Sequence, residues 1–181
     1  MDEAVFSSAQ VKPKIWFVPQ STPVEMTKKK IGFGAIAVAA AIDVHGKVIA
    51  YHIQDHSIDT DAYIMFLTRV RDYTKGKKCV MLVDNLRVHR TDPSKAACER
   101  FNIDQVFNGT YSSTFNPIER LWAFSKRRFT RRCAAGAPYH NQTRMRKLVR
   151  EILLEDYSSP LRKRVITCME SMRLYLESKW R

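Results

Sequence analysis

Three carboxylates in a strongly basic chain define the chemistry open to this sequence. Asp2, Asp84 and Glu119 each stand at a strand end or a helix start, while 31 Lys and Arg against 18 Asp and Glu give a formal charge of +13. Such a surface attracts polyanions, nucleic acids among them. Charge alone names a partner and not an activity, since a subunit of a basic assembly would show the same balance. Transferring a phosphodiester at neutral pH needs an activated oxygen nucleophile and stabilisation of the charge around phosphorus, which two divalent cations supply together. Hard cations such as Mg²⁺ are held by carboxylate oxygens, and these three residues offer them.

The segments around these residues must place them. CVMLVD, Cys79 to Asp84, is a short apolar run that predicts a strand buried on both faces, with Asp84 at the strand end where ligand sites of α/β folds form. The competing reading is a turn, for which Asp84-Asn85 is good chemistry. Asn116-Pro117-Ile118-Glu119 predicts a helix start with Asn116 as N-cap, Pro117 first and Glu119 third, where a carboxylate can close a capping box. From spacing alone, capping is the stronger reading of Glu119, and it does not exclude a second role toward a metal.

The remaining pattern supplies a scaffold. MDEAVFSS reads as a strand and KIWFV as another within an irregular stretch over 10–33. GAIAVAAAIDV and KVIAYHI predict a hairpin turning at His45-Gly46. Tyr63, Phe66, Leu67, Val70 and Tyr73 recur at helical spacing after a cap at Asp59 or Thr60, and Gly76 follows the helix end. Asp92-Pro93 starts a helix through PSKAACERF, and IDQVF is a short strand. Ile118, Leu121, Trp122 and Phe129 form a buried stripe on the next helix, whose far end is crowded by Lys126, Arg127, Arg128, Arg131 and Arg132. These basic residues are candidate phosphate contacts, with a solvated face as the alternative. Met145, Leu148, Val149, Ile152 and Leu153 mark a further helix, and Leu161 to Trp180 another. Strands and helices in this order fit a mixed sheet flanked by helices.

Cys79, Cys98, Cys133 and Cys168 form no CxxC pair and read as free thiols. No apolar run approaches the roughly 20 residues of a membrane span, and no signal peptide is readable. His52 and His56 would share a face only on a helix, in a region whose pattern is a strand, so no metal site is assigned there.

Three segments carry a family resemblance. VDNLRVH, Val83 to His89, resembles the "DN…H" segment of Tc1/mariner and IS630-type DDE transposases, and YSSTFNPIERLWAFSKRR, Tyr111 to Arg128, resembles their "YSPxLNPIExxWxxxK" segment, with Ser113 in place of the usual Pro. Thirty-four residues separate Asp84 from Glu119, an interval typical of the Tc1 branch. MDEAVFSS is similar to the first motif of that family, an Asp-Glu pair followed by an aromatic residue. The similarity runs from about residue 2 to about residue 132.

The resemblance implies an α/β, ribonuclease H-like mixed sheet flanked by helices. Residues 1–135 would form the catalytic domain and 136–181 a C-terminal helical extension of it. It implies Asp2, Asp84 and Glu119 as catalytic and metal-binding residues for two Mg²⁺ or Mn²⁺ ions, and DNA strand cleavage followed by strand transfer. Glu3, facing away from Asp2 on the strand, would be structural. Asn116 could orient the site, and Asn85 and His89 could orient it or contact DNA, with a turn Asn and an ordinary packed or solvated His as the plainer readings. DNA is the implied partner, with a homodimer assembled on it. The helix-turn-helix region that recognises transposon ends in the family has no counterpart before Asp2, so that role would fall to a separate region or protein. The protein would act in a eukaryotic nucleus or a bacterial cytoplasm and nucleoid. The alternative is a domesticated or decayed copy that binds DNA or another partner without catalysis.

Overall fold

A computed structural model describes residues 1–11, 34–108, 116–137, 141–155, 163, 165–171 and 173–174. The expected KIWFV strand, most of the 10–33 stretch, Ser113 and much of 161–180 lie outside the described residues.

The elements run β1 (Asp2–Ser7), β2 (Ala35–Ile42), β3 (Val48–Gln54), α1 (Thr60–Thr74), β4 (Cys79–Val83), α2 (Asp92–Arg100), β5 (Ile103–Phe107), α3 (Ile118–Ala134) and α4 (Gln142–Leu153). This is the ribonuclease H-like α/β arrangement expected from the sequence. Its strands form two ladders: antiparallel β1-β2-β3, and parallel β4-β5. A single bond from the Met1 ammonium to the Leu82 carbonyl, 2.6 Å, joins the start of β1 to β4.

Side-chain alternation on β1 and β2 divides the core in two. Ala4, Phe6, Ile36, Val38 and Ala40 face α3 and α4, meeting Leu121, Trp122, Phe129, Met145 and Val149. Met1, Ala39 and Ala41 face the opposite side, with α1, α2, β4 and β5. Phe6 sits at the centre of the first half, edge-on to Phe129 at 5.5 Å and to Trp122 at 6.4 Å between ring centroids.

The β2-β3 hairpin turns at Gly46, whose φ of 80° is the left-handed conformation a glycine takes without strain. The N-cap of α1 is Asp59, accepting from the Ala62 amide at 2.8 Å. Asp59→Ala is expected to cost about 1 kcal/mol of unfolding free energy, whereas Thr60→Ala, at the first helical position, should cost much less. Urea melts of the two variants check this, and equal losses would contradict the cap.

Four expectations need correction. Tyr73 is 46% exposed rather than core, because it lies beyond the stripe formed by Tyr63, Phe66, Leu67 and Val70. β4 is buried on one face only: Met81 and Val83 point at α1 and α2, whereas Val80 on the other face is 67% exposed. The cap of α2 is Thr91, accepting from the Ser94 amide, which moves Asp92 and Pro93 inside the first turn. Finally, α3 begins at Ile118 with Pro117 in the cap position and no side-chain cap bond. Asn116 does not cap the helix, and Glu119, at the second helical position, closes no capping box.

Candidate active site

Asp2 is the second residue of the chain and one of its most buried acids, 9% exposed. Strand alternation places it on the same face as Ala4 and Phe6, where the Trp122 indole N–H donates to Oδ2 at 3.2 Å and the Glu3 amide donates to Oδ1 at 2.8 Å. Trp122 is therefore a core residue, as its stripe position predicted, and also holds a candidate ligand. Burial raises the Asp2 pKa to about 6, the Glu3 amide opposes that rise, and the charges of Glu119, Asp84 and Glu3 add to it. Asp2 thus lies within electrostatic range of both other expected carboxylates.

Asp84 follows the last residue of β4, with its side chain 34% exposed. Its carboxylate accepts from His89 Nδ1 at 2.9 Å. Burial pushes its pKa up, but the bonds and charge of His89 outweigh burial and leave it below the usual carboxylate range. Glu119 is exposed in the first turn of α3, where an acidic residue suits the helix dipole. The neighbouring Asn116 is buried, and its side-chain amide donates to the Met1 carbonyl at 3.5 Å. It ties the start of α3, and hence Glu119, to the start of β1.

His89 stands out. It is fully buried, 0% exposed, on a short 3-10 turn, Arg87–Arg90. Nδ1 meets Asp84, and Nε2 lies 3.0 Å from Glu3 Oε1. Burial would lower its pKa, but the bonds to Asp84 and Glu3 outweigh that and raise it to about 9, so the imidazolium donates from both nitrogens at neutral pH. Glu3 faces the opposite side of β1 from Asp2, as expected, yet its role is specific: it is the second anchor of His89.

Among the described residues, the acidic and histidine side chains whose ligand atoms all approach within 4.8 Å are Glu3, Asp84 and His89. His89 turns a different ring nitrogen to each carboxylate, so no one ion position serves both bonds. This group is a hydrogen-bonded bridge. The carboxylates of Asp2, Asp84 and Glu119 offer hard oxygen donors suited to Mg²⁺ or Mn²⁺, and burial, the main cause of the raised Asp2 pKa, makes that carboxylate costly to ionise.

The other expected residues are dispersed. Asn85 donates to the Asn108 carbonyl at 2.6 Å and accepts from Arg90, joining the ends of β4 and β5. Arg128 pairs with Glu155, and Arg132 with both Glu151 and Glu155. Arg127 and Arg131 are exposed, and Lys126 is partly so. Cys79, Cys98, Cys133 and Cys168 form no disulfide, and no described helix is long and apolar enough to cross a membrane.

The ribonuclease H-like scaffold places Asp2 on its first strand, Asp84 just after its fourth and Glu119 in the first turn of a following helix. The chain belongs to the DDE superfamily endonuclease family, which matches residues 1–136, in agreement with the Tc1/mariner resemblance of its motifs. No protein of curated function matches it in sequence. Among solved structures, the Mos1 Strand Transfer Complex superposes on 94% of this chain and 51% of its own, with TM-score 0.67 and 15% identity. The Mos1 mariner paired end complex with Mn covers 94% and 52%, with TM-score 0.67 and 14% identity. The Mos1 transposase catalytic domain with Raltegravir and Mg covers 76% and 75%, with TM-score 0.54 and 16% identity. At these identities the likeness is one of fold. The chain spans about half the length of the Mos1 proteins in the two complexes.

Proposed function

We propose that this chain is the catalytic domain of a transposase that cuts DNA strands and joins them to a target, using Asp2, Asp84 and Glu119 to hold two Mg²⁺ or Mn²⁺ ions. The observation that carries the reading is Asp2: a buried carboxylate, held by Trp122 and the Glu3 amide, whose charge is opposed by Glu119 and Asp84. A buried carboxylate with other carboxylates in electrostatic range is costly to ionise unless a cation joins them. The family match and the Mos1 structures, solved with a left transposon end and with Mn or Mg, support the same reading.

The chain's own residues have distinct parts in this chemistry. The carboxylates would hold the ions, which when bound stabilise charge on the attacking and leaving oxygens. Trp122 and the Glu3 amide orient Asp2, and His89 orients Asp84. Arg127, Arg131 and Lys126 offer positive charge to DNA phosphates along α3, with Arg128 and Arg132 already engaged by Glu151 and Glu155. A second copy of the chain on DNA and a separate end-recognition region or protein complete the proposal.

The experiment is strand nicking of a DNA duplex with Mg²⁺ or Mn²⁺, against a chelator control. Nicks that require the ion support the proposal. Protein that binds DNA but nicks it with neither ion selects the alternative, a domesticated DNA-binding copy. The basic residues have a separate check. Arg127→Ala and Arg131→Ala should each lower the slope of log affinity against log salt by about 1, whereas Arg132→Ala should change it less. Slopes identical to wild type in the first two variants would remove α3 from the DNA interface.

A further inference from the structure

β1 and β4 carry Asp2 and Asp84, yet they belong to different ladders. A metal site built across them needs its two carboxylates at a fixed separation, and no run of β-ladder bonds supplies it. The Met1 to Leu82 bond joins the backbones at one point. The other described crossing is made of side chains and ends on the Asp84 carboxylate itself.

From the β4 side, His89 Nδ1 lies 2.9 Å from Asp84 Oδ1 and 3.2 Å from the Asp84 carbonyl. From the β1 side, Nε2 lies 3.0 Å from Oε1 of Glu3, the residue that follows Asp2. The imidazole is well fixed. The His89 amide donates to the Leu86 carbonyl at 3.2 Å, and buried Ser94 donates from Oγ to the Val88 carbonyl at 2.7 Å, binding the 3-10 turn to α2. The Tyr63 ring lies 4.5 Å from the imidazole, centroid to centroid. A buried imidazole must have both ring nitrogens hydrogen-bonded, but neutral acceptors would meet that need without the cost of drawing two carboxylates out of water. Here both ring nitrogens are committed to carboxylates, and one of those carboxylates is a candidate metal ligand.

We propose that Glu3 and His89 are positioning residues: the Glu3–His89 couple locks Asp84 Oδ1 against the strand that carries Asp2, leaving Asp84 Oδ2 to meet the ion in a preset place. The inference rests on the reading of Asp84 as a metal ligand. Partners that orient a metal's ligands are typically worth about 10- to 100-fold in metal affinity, because without them the carboxylate samples orientations that do not bind.

The test is Mn²⁺ affinity, read as free Mn²⁺ by electron paramagnetic resonance at a temperature where circular dichroism shows every variant folded. Glu3→Ala and His89→Ala should each weaken binding about tenfold, and the double variant should be no weaker than the worse single one, because the two residues act in series. Glu3→Gln, which keeps an oxygen to accept from Nε2, should recover most of the affinity. A purely structural role would lower thermal stability in these variants and leave Mn²⁺ affinity unmoved. Affinities within twofold of wild type in Glu3→Ala and His89→Ala, while Asp84→Asn has lost Mn²⁺, would overturn the proposal and leave the active-site reading intact. Wild-type affinity in Asp84→Asn would overturn both. If His89→Ala does not fold, Glu3→Ala and Glu3→Gln carry the test alone.

Discussion

Replacing Glu119 by Ala is expected to lower metal-dependent strand nicking about a thousandfold while leaving unfolding free energy within about 0.5 kcal/mol of wild type. The first half follows from charge. A metal ion at a transferring phosphoryl group supplies several kcal/mol of transition-state stabilisation, and about 4 kcal/mol is a factor of about a thousand in rate. The second half follows from geometry: Glu119 is exposed and closes no capping box, because α3 starts at Ile118 without a side-chain cap. Asp84→Ala should cost as much in rate but also destabilise, since it leaves the buried His89 Nδ1 without its carboxylate partner. Asp84→Asn keeps an oxygen acceptor there and is the cleaner variant. Single-turnover nicking rates with urea melts on the same preparations separate these effects. Nicking within threefold of wild type in both Glu119→Ala and Asp84→Asn would sink the catalytic assignment. A loss of 1 kcal/mol or more in Glu119→Ala would restore the capping role.

The strands, the hairpin and the helical stripes were legible because each is a local pattern. Phe66, Leu67 and Val70 on α1, or Leu121, Trp122 and Phe129 on α3, repeat at the period of the element they build, and all are buried. Gly46 marked its turn because the turn needs a positive φ. Caps were harder. The same few residues contain several competent cap side chains, and tertiary bonds decide among them: Thr91 was chosen over Asp92, and Asn116 was drawn from the helix end to the Met1 carbonyl. The one-sided burial of β4 could not be read from CVMLV, since apolar residues also face outward and Val80 does. The Glu3–His89 contact spans 86 positions, beyond any argument from spacing. Its available signal was weak: an Asp-Glu pair whose second carboxylate must face the opposite side of the sheet and find a cation there. The position of Asp2 beside Trp122 was equally non-local, although the stripe had already placed Trp122 in the core.

Asp2→Asn, the companion exchange, should make the metal-free protein more stable at pH 7.5 and insensitive to Mn²⁺. A carboxyl that titrates near 6 in the fold and at 3.8 when unconstrained destabilises the folded state wherever it must ionise. The sign follows from proton counting: between these values the folded chain holds the proton more often than the unfolded chain, so stability falls as pH rises through that window. Below it the cost is absent, and above pH 6 it is complete at about 3 kcal/mol. The Met1 amine, lowered by burial to about 6 against attraction from Asp2, Asp84 and Glu3, acts with the opposite sign in the adjacent window up to 8. The pH dependence of the difference between wild type and Asp2→Asn therefore should be read from pH 4 to 6, and its full size above that window. Asparagine recovers less than the whole cost, since its amide must find room beside the Trp122 N–H, which can only donate. A net gain of about 1–2 kcal/mol is expected at pH 7.5. Mn²⁺ at 100 times its dissociation constant should then stabilise the wild type by about 2.7 kcal/mol and the variant hardly at all, reversing their order. Thermal melts across pH, with and without Mn²⁺, decide the matter. If Asp2→Asn is the less stable protein without metal at pH 7.5, or gains as much from Mn²⁺ as the wild type, Asp2 is a structural acid held by Trp122 and the metal site lies elsewhere.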